Sequence, residues 1–220
     1  MHIVQRGNNR GPCFFEDADR RFYLHHLARI LPEASCELHA YCLMTNHVHL
    51  LVTPLASNSC ACLMRRLNLL HSQYMNRKYE RTGSLWEGRF RSCIVQSEAY
   101  LLNCYRYVEL NPVRARLADS PDAFEWSSYR TNARGVPSTF ITPHEEYQRL
   151  GTSAEDRYAS YRSLFGGPEP MLAAIRQATN GNLVLGSRTF MDRLSASLGR
   201  RVERGKAGRP ANRDKNVVRP

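Results

Sequence analysis

The feature that most limits the possible folds is the run CELHAYCLM, Thr45-Asn46, HVHLLVT over residues 36–53. Two short apolar stretches flank a two-residue connection, which is the pattern of an antiparallel hairpin. Side chains two apart on a strand share a face. His47 and His49 are therefore expected on one side of the sheet, with Val48, Leu50 and Val52 on the other.

The flanking segments supply the remaining elements. HIVQRG reads as a short strand ending at Gly7, and NNRGPC (8–13) as a polar loop. Phe22, Leu24, Leu27, Ile30 and Leu31 recur at helical spacing, which predicts a helix from Asp17 to Leu31 stopped by Pro32. A long basic helix is predicted from Ser59 to Arg81, with Leu63, Leu67, Leu70 and Tyr74 buried and Gly83 as its stop. SLWEGRFRSCIV reads as loop then strand, and a helix capped by Ser97 runs to Asn111, where Pro112 ends it. Beyond FEWSSY two or three short helices are predicted between residues 143 and 199, with a boundary at Gly166-Gly167-Pro168. This order predicts an α+β fold with an antiparallel sheet. The expected organisation is a main domain over 1–135, a helical extension over 136–199, and a basic tail without regular structure over 200–220.

Composition narrows the functional class. At 220 residues and 42% hydrophobic content, the chain suffices for one ordinary core. No run approaches the roughly 18 apolar residues of a membrane span. The opening MHIVQRGNNR has no apolar leader segment, so a soluble cytoplasmic protein without a membrane partner is expected. Seven cysteines, an odd count with no CxxC pair, argue against a disulfide framework or zinc ribbon and suit a reducing compartment. The net charge of +11 favours a polyanionic partner, of which nucleic acid is the commonest. Residues 200–220 hold eight Lys/Arg against two acids, a net of +6, leaving +5 for the rest. Within the tail, KAGRPANR only partly matches a Gly-Arg-Pro minor-groove reader, because Ala207 stands where an arginine is expected, so nonspecific phosphate contact is the better reading.

Two spacings point to chemistry. His47 and His49 on one sheet face could hold one divalent cation. Tyr107 and Asn111 are four apart, hence within about 40° of each other on a helix, at the edge of a stripe formed by Leu101, Cys104, Tyr105 and Val108. Each spacing alone is cheap: with eight histidines, roughly 0.3 such HxH pairs arise by chance. Together they form a set. A phosphodiester is attacked by a well-placed oxygen nucleophile while a cation draws charge off the phosphate oxygens. Tyrosine, with a pKa near 10, needs such a field to act. His47, His49 and the Asn111 amide oxygen would leave open positions for phosphate. With no thiolate in the set, Mg²⁺ or Mn²⁺ is at least as suitable as Zn²⁺.

The blocks HAYCLMTNHVHLLVTP, MRRLNLLHSQYMNRKYERTGSLWEGRFRSCIV, YLLNCYRYVELNPVRARL and FEWSSY, in that order, resemble the REP-associated tyrosine transposases, a branch of the HUH single-strand transposases. The resemblance covers about residues 2–130. It implies that His47, His49 and Asn111 bind the metal and that Tyr107 is the nucleophile. It further implies cleavage and rejoining of single-stranded DNA through a 5′-phosphotyrosine, at palindromic repeats that fold as hairpins. The implied fold is a ferredoxin-like antiparallel sheet flanked by helices, here with a C-terminal helical extension and basic tail. One departure stands out: the chain opens almost inside its first strand, where relatives carry further residues, so an incomplete sheet edge is expected.

Residues expected to contact DNA are Arg6, Asn8, Asn9 and Arg10 on the first loop, Arg65, Arg66, Arg77 and Lys78 on the long helix, and Arg89 and Arg91 beside Trp86 and Phe90. Cations next to aromatics suit unstacked bases. The expected partner is single-stranded or hairpin DNA, and the assembly a monomer or homodimer. Two competing classes are a domesticated hairpin binder without strand transfer and a zinc hydrolase using the HVH pair. The lack of an HExxH-like arrangement makes the hydrolase remote.

Overall fold

The computed structural model describes residues 1–203. Its sheet has the order β2-β3-β1-β4-β5, from β1 (His2–Arg6), β2 (Cys36–Leu43), β3 (His47–Pro54), β4 (Arg91–Val95) and β5 (Val184–Leu185). Helix α1 (Asp17–Glu33) links β1 to β2, and α2 (Ser59–Lys78) links β3 to β4. The first four strands pair antiparallel throughout. This βαββαβ arrangement is the ferredoxin-like α+β topology. Two-residue β5 pairs parallel to β4, so the complete sheet is mixed rather than purely antiparallel. Strand β1 has partners on both sides and is no edge strand, contrary to the expectation of an incomplete edge.

Alternation divides the buried residues into two cores. Ile3, Val48, Leu50 and Val52 pack with Leu27 and Ile30 of α1 and Leu63 and Leu67 of α2. Ala40, Cys42, Leu51 and Cys93 face the other way, onto Leu101, Cys104, Tyr105 and Val108 of α3 (Ser97–Glu109). An irregularity between Leu38 and Ala40 lets Leu38 and Tyr41 serve the same core although they are three apart.

Helix ends differ from the sequence expectations for local reasons. Pro32 lies inside the last turn of α1, which runs on to Glu33. Helix α2 stops at Lys78, before Gly83. The left-handed residue is Glu80 at φ 50°, and the Arg81 amide returns to the Asn76 carbonyl. Tyr74 in this helix is only half-buried, whereas Met64, His71 and Met75 are buried. Gln96, not Ser97, flanks the start of α3. Helix α3 breaks at Leu110, and Pro112 opens a further turn, α4 (Asn111–Arg114), instead of ending the helix.

The C-terminal segment forms α5 (Tyr129–Arg134), α6 (Glu145–Gln148), α7 (Ala154–Ser163), α8 (Leu172–Asn180) and α9 (Arg188–Leu198), one helix more in 143–199 than expected. Tyr147, Tyr161, Ile175 and Ala178 share the α3 core. The Arg106 guanidinium donates to the carbonyls of Gly167 and Pro168, tying the expected boundary to α3. The basic tail beyond residue 203, with its Gly208-Arg209-Pro210 sequence, lies outside the described residues. All seven cysteines are free thiols. Among the described residues no helix is long and apolar enough to cross a membrane.

One buried carboxylate joins the two parts. Glu109 of α3 accepts hydrogen bonds from Ser128 Oγ (2.5 Å), Tyr161 Oη (2.6 Å) and Asn132 Nδ2 (2.8 Å). Burial pushes its carboxyl up to about 7, against those three donors. Removing one donor leaves a buried acceptor short of a partner, which costs about 1–3 kcal/mol. Tyr161→Phe should therefore lower the stability measured by urea denaturation by that amount. An unchanged midpoint would show that Glu109 does not hold the extension.

Candidate active site

Antiparallel pairing sets Val4 opposite His49 and Arg6 opposite His47. His2, Val4, Arg6, His47 and His49 consequently share one face, the one covered by α3 and α8. There Arg6, His47, His49, Tyr107, Asn111 and Arg114 line a cavity of about 340 Å³, together with Arg176 and Asn180 of α8. The ring centroids of His47 and His49 are 4.8 Å apart, and those of His49 and Tyr107 are 5.6 Å apart, edge to face. The four residues singled out by spacing therefore meet in one place, on one chain.

Their polar partners fix which atoms remain available. The Asn46 amide nitrogen donates to the Arg10 carbonyl at 2.9 Å, so its Oδ1 is the atom 2.7 Å from His47 Nδ1. His47 must then carry its proton on Nδ1, which leaves the Nε2 lone pair free. Asn46 thus orients His47 and also holds the Asn8–Arg10 loop. The same loop is pinned by a close approach: a Cβ on Gly7 would lie 2.2 Å from the Gly11 carbonyl oxygen. Asn111 Nδ2 donates to the Tyr107 carbonyl at 3.0 Å, leaving Oδ1 as the end available to a cation.

Burial keeps the imidazoles neutral. It lowers His47 to about 4, helped by Arg6, and holds His49 well below its usual value, helped by His47 and His2. Nearby Cys42, opposite His49 in the register, is pushed well up by burial and stays a thiol. The donors in the cavity are accordingly two neutral imidazoles and an amide oxygen, which suit a divalent cation of the Mg²⁺, Mn²⁺ or Zn²⁺ type. Among the described residues no group of three or more His, Cys, Asp or Glu could hold a metal ion.

Sequence reasoning missed several residues in or beside the cavity, Arg114, His2 and Arg176 among them. Arg114 packs its guanidinium over the Tyr107 ring at 4.6 Å, donates to the Tyr107 carbonyl, and pairs with Glu169 at 2.5 Å. Its signal was its place in NPVRARL, seven residues past Tyr107, but the break at Leu110 hides the shared face. His2 is fully buried, with Nε2 2.9 Å from His49 Nδ1. Nothing in a lone histidine near a strand start could have revealed that contact.

The expected DNA contacts divide into groups. Arg6 lines the cavity, and Asn8, Asn9 and Arg10 are exposed beside it. Arg89 and Arg91 lie on a separate groove of about 720 Å³, with Phe90 and Arg200. Arg65, Arg66, Arg77 and Lys78 sit on α2, on the opposite face of the sheet. There Arg66 pairs with Glu33, and Lys78 with Glu16 and Asp19. Trp86 is buried, its indole nitrogen donating to the Asn68 carbonyl.

A family model described as "Transposase IS200 like" matches residues 1–111, half the chain and ending at Asn111. No curated protein matches. Among solved structures, the chain is similar to one described as a REP-associated tyrosine transposase bound to a REP hairpin. The TM-score is 0.47 and the identity 15%, over 65% of this chain and 84% of that one.

The burial argument has a direct spectroscopic consequence. In the metal-free protein, the His47 ring should keep its neutral NMR signature from pH 8 to about pH 5 and titrate near 4. A midpoint near 6.5 would contradict the burial argument for His47.

Proposed function

Because the chain belongs to the IS200-like transposase family, we propose that it is a single-tyrosine HUH transposase acting on single-stranded DNA that folds as hairpins. The carrying observation is that one cavity collects two neutral imidazoles, an oriented amide oxygen and the Tyr107 ring. His47 Nε2, His49 Nε2 and Asn111 Oδ1 would hold Mg²⁺ or Mn²⁺. When bound, the cation supplies positive charge for the phosphate oxygens.

The chain's own residues do the rest. Arg114 holds the Tyr107 ring and its backbone, which limits the positions open to the nucleophile. Arg6, Arg114 and Arg176 supply positive charge to the cavity for the incoming phosphate. The Tyr107 oxygen attacks phosphorus as the bond to the 3′ oxygen breaks. The products are a 5′-phosphotyrosine and a free 3′-hydroxyl, which gains the proton the tyrosine loses. Attack by a 3′-hydroxyl on the phosphotyrosine reverses the exchange, restoring both the phosphodiester and the phenol. No external energy source is needed, because one phosphate ester replaces another. The exposed Asn8–Arg10 loop, coupled to His47 through Asn46, would contact a hairpin beside the cavity. The REP-type repeat as target rests on the sequence resemblance.

Incubation with single-stranded hairpin DNA and Mn²⁺ should give a covalent adduct that maps to Tyr107. Tyr107→Phe should abolish it, with hairpin affinity within a few-fold of the parent. His47→Ala or His49→Ala should remove cleavage and weaken Mn²⁺ binding about tenfold or more. Tight hairpin binding without any adduct would mark a domesticated binder instead, and full activity in EDTA would defeat the metal assignment.

A further inference from the structure

The His2 contact extends further, to a residue 177 positions away. His2 Nδ1 lies 2.8 Å from Thr179 Oγ1 of α8, and Thr179 Oγ1 lies 2.8 Å from the Ile175 carbonyl. Thr179, His2 and His49 are all buried. Thr179 Oγ1 also lies 3.3 Å from Cys93 Sγ, and its donation to the Ile175 carbonyl is what selects one arrangement of protons. A carbonyl only accepts, so the single hydroxyl proton of Thr179 goes to Ile175. Thr179 Oγ1 must then accept from His2, which places the His2 proton on Nδ1. His2 Nε2 is left as an acceptor, so His49 must donate from Nδ1. The His49 lone pair is thereby confined to Nε2, the same atom that Asn46 leaves free on His47.

We propose that Thr179 and His2 form a positioning relay that fixes the Nδ1–H tautomer and ring orientation of His49, so that helix α8, outside the family-matched region, completes the cation site. The relay rests on the functional reading above. Ligating histidines commonly have the second ring nitrogen held in this way, usually by a carboxylate, backbone carbonyl or water. Here that partner is a second imidazole, itself oriented by a helix hydroxyl. His2 is not placed as a ligand, because its Nε2 is engaged by His49. Stacking of the two rings, 5.1 Å between centroids and 7° from parallel, holds the pair in register. A Thr179 side chain without the hydroxyl would leave His2 Nδ1–H without an acceptor. The alternative tautomer of His2 would donate from Nε2 to His49 Nδ1, moving the His49 proton to Nε2 and blocking the metal-facing atom.

Nitrogen-15 NMR of the metal-free full chain tests the relay before any function is assayed. His49 should show a protonated Nδ1 and a bare Nε2; the opposite pattern would overturn the proposal. Titration with Mn²⁺ then compares Thr179→Val, which keeps the shape, with Thr179→Ser, which keeps the oxygen. Thr179→Val should lose about tenfold or more in Mn²⁺ affinity at an unchanged circular dichroism spectrum, and shift the His49 tautomer. Thr179→Ser should stay within about threefold of the parent. Equal Mn²⁺ affinity and an unshifted tautomer in Thr179→Val would overturn the relay. A parent chain that shows the stated tautomer but binds no Mn²⁺ would overturn the functional reading, and with it the link from the relay to a cation.

Discussion

The antiparallel register of β1 against β3 is the constraint on which the site depends. With Val4 opposite His49 and Arg6 opposite His47, the two strands put three histidines and an arginine on the face covered by α3 and α8. The same register sends Ile3, Val48 and Leu50 into the core under α1 and α2. A slip of one residue would exchange the two sets, burying the imidazoles among aliphatics and exposing the aliphatics to the cavity. Hydrophobic burial on one face thus enforces the placement of polar groups on the other. Central β1, paired on both sides, has little freedom to slip.

The second face gains its order from segments far along the chain. Glu109 gathers Ser128, Asn132 and Tyr161, and Arg106 holds the Gly167-Pro168 turn. These contacts bring α8 onto β4 and β1, where Thr179 meets His2 and Arg176 reaches the cavity. The extension is therefore packed into the face that carries the cavity, and a proposed site whose His47, His49, Tyr107 and Asn111 lie within residues 1–111 takes its support from residues beyond them.

What the sequence made legible follows from short-range periodicity. The HVH pair and the Tyr107/Asn111 pair were readable because strand and helix repeats put each pair on one face without further information. The βαββαβ order could be followed from the apolar runs and turn residues. Contacts between distant segments left no such trace. His2 is one of three polar residues in a five-residue strand, and Arg114 lies beyond a break in α3 that Pro112 disguised as an end. Two-residue β5 is too short for any period. The basic stripe of α2 was visible as charge, but its pairing was not: Lys78 meets Asp19 across 59 positions and Arg66 meets Glu33 across 33. An ion pair formed in the fold and a cation free for phosphate look alike in sequence.

Crystals of the full chain soaked in Mn²⁺ and measured for anomalous scattering test the central claim most directly. The account predicts one peak in the cavity, about 2 Å from His47 Nε2, His49 Nε2 and Asn111 Oδ1, with remaining coordination positions open beside Tyr107. A peak bound through Nδ1 of either histidine, or located elsewhere with the cavity empty, would contradict it.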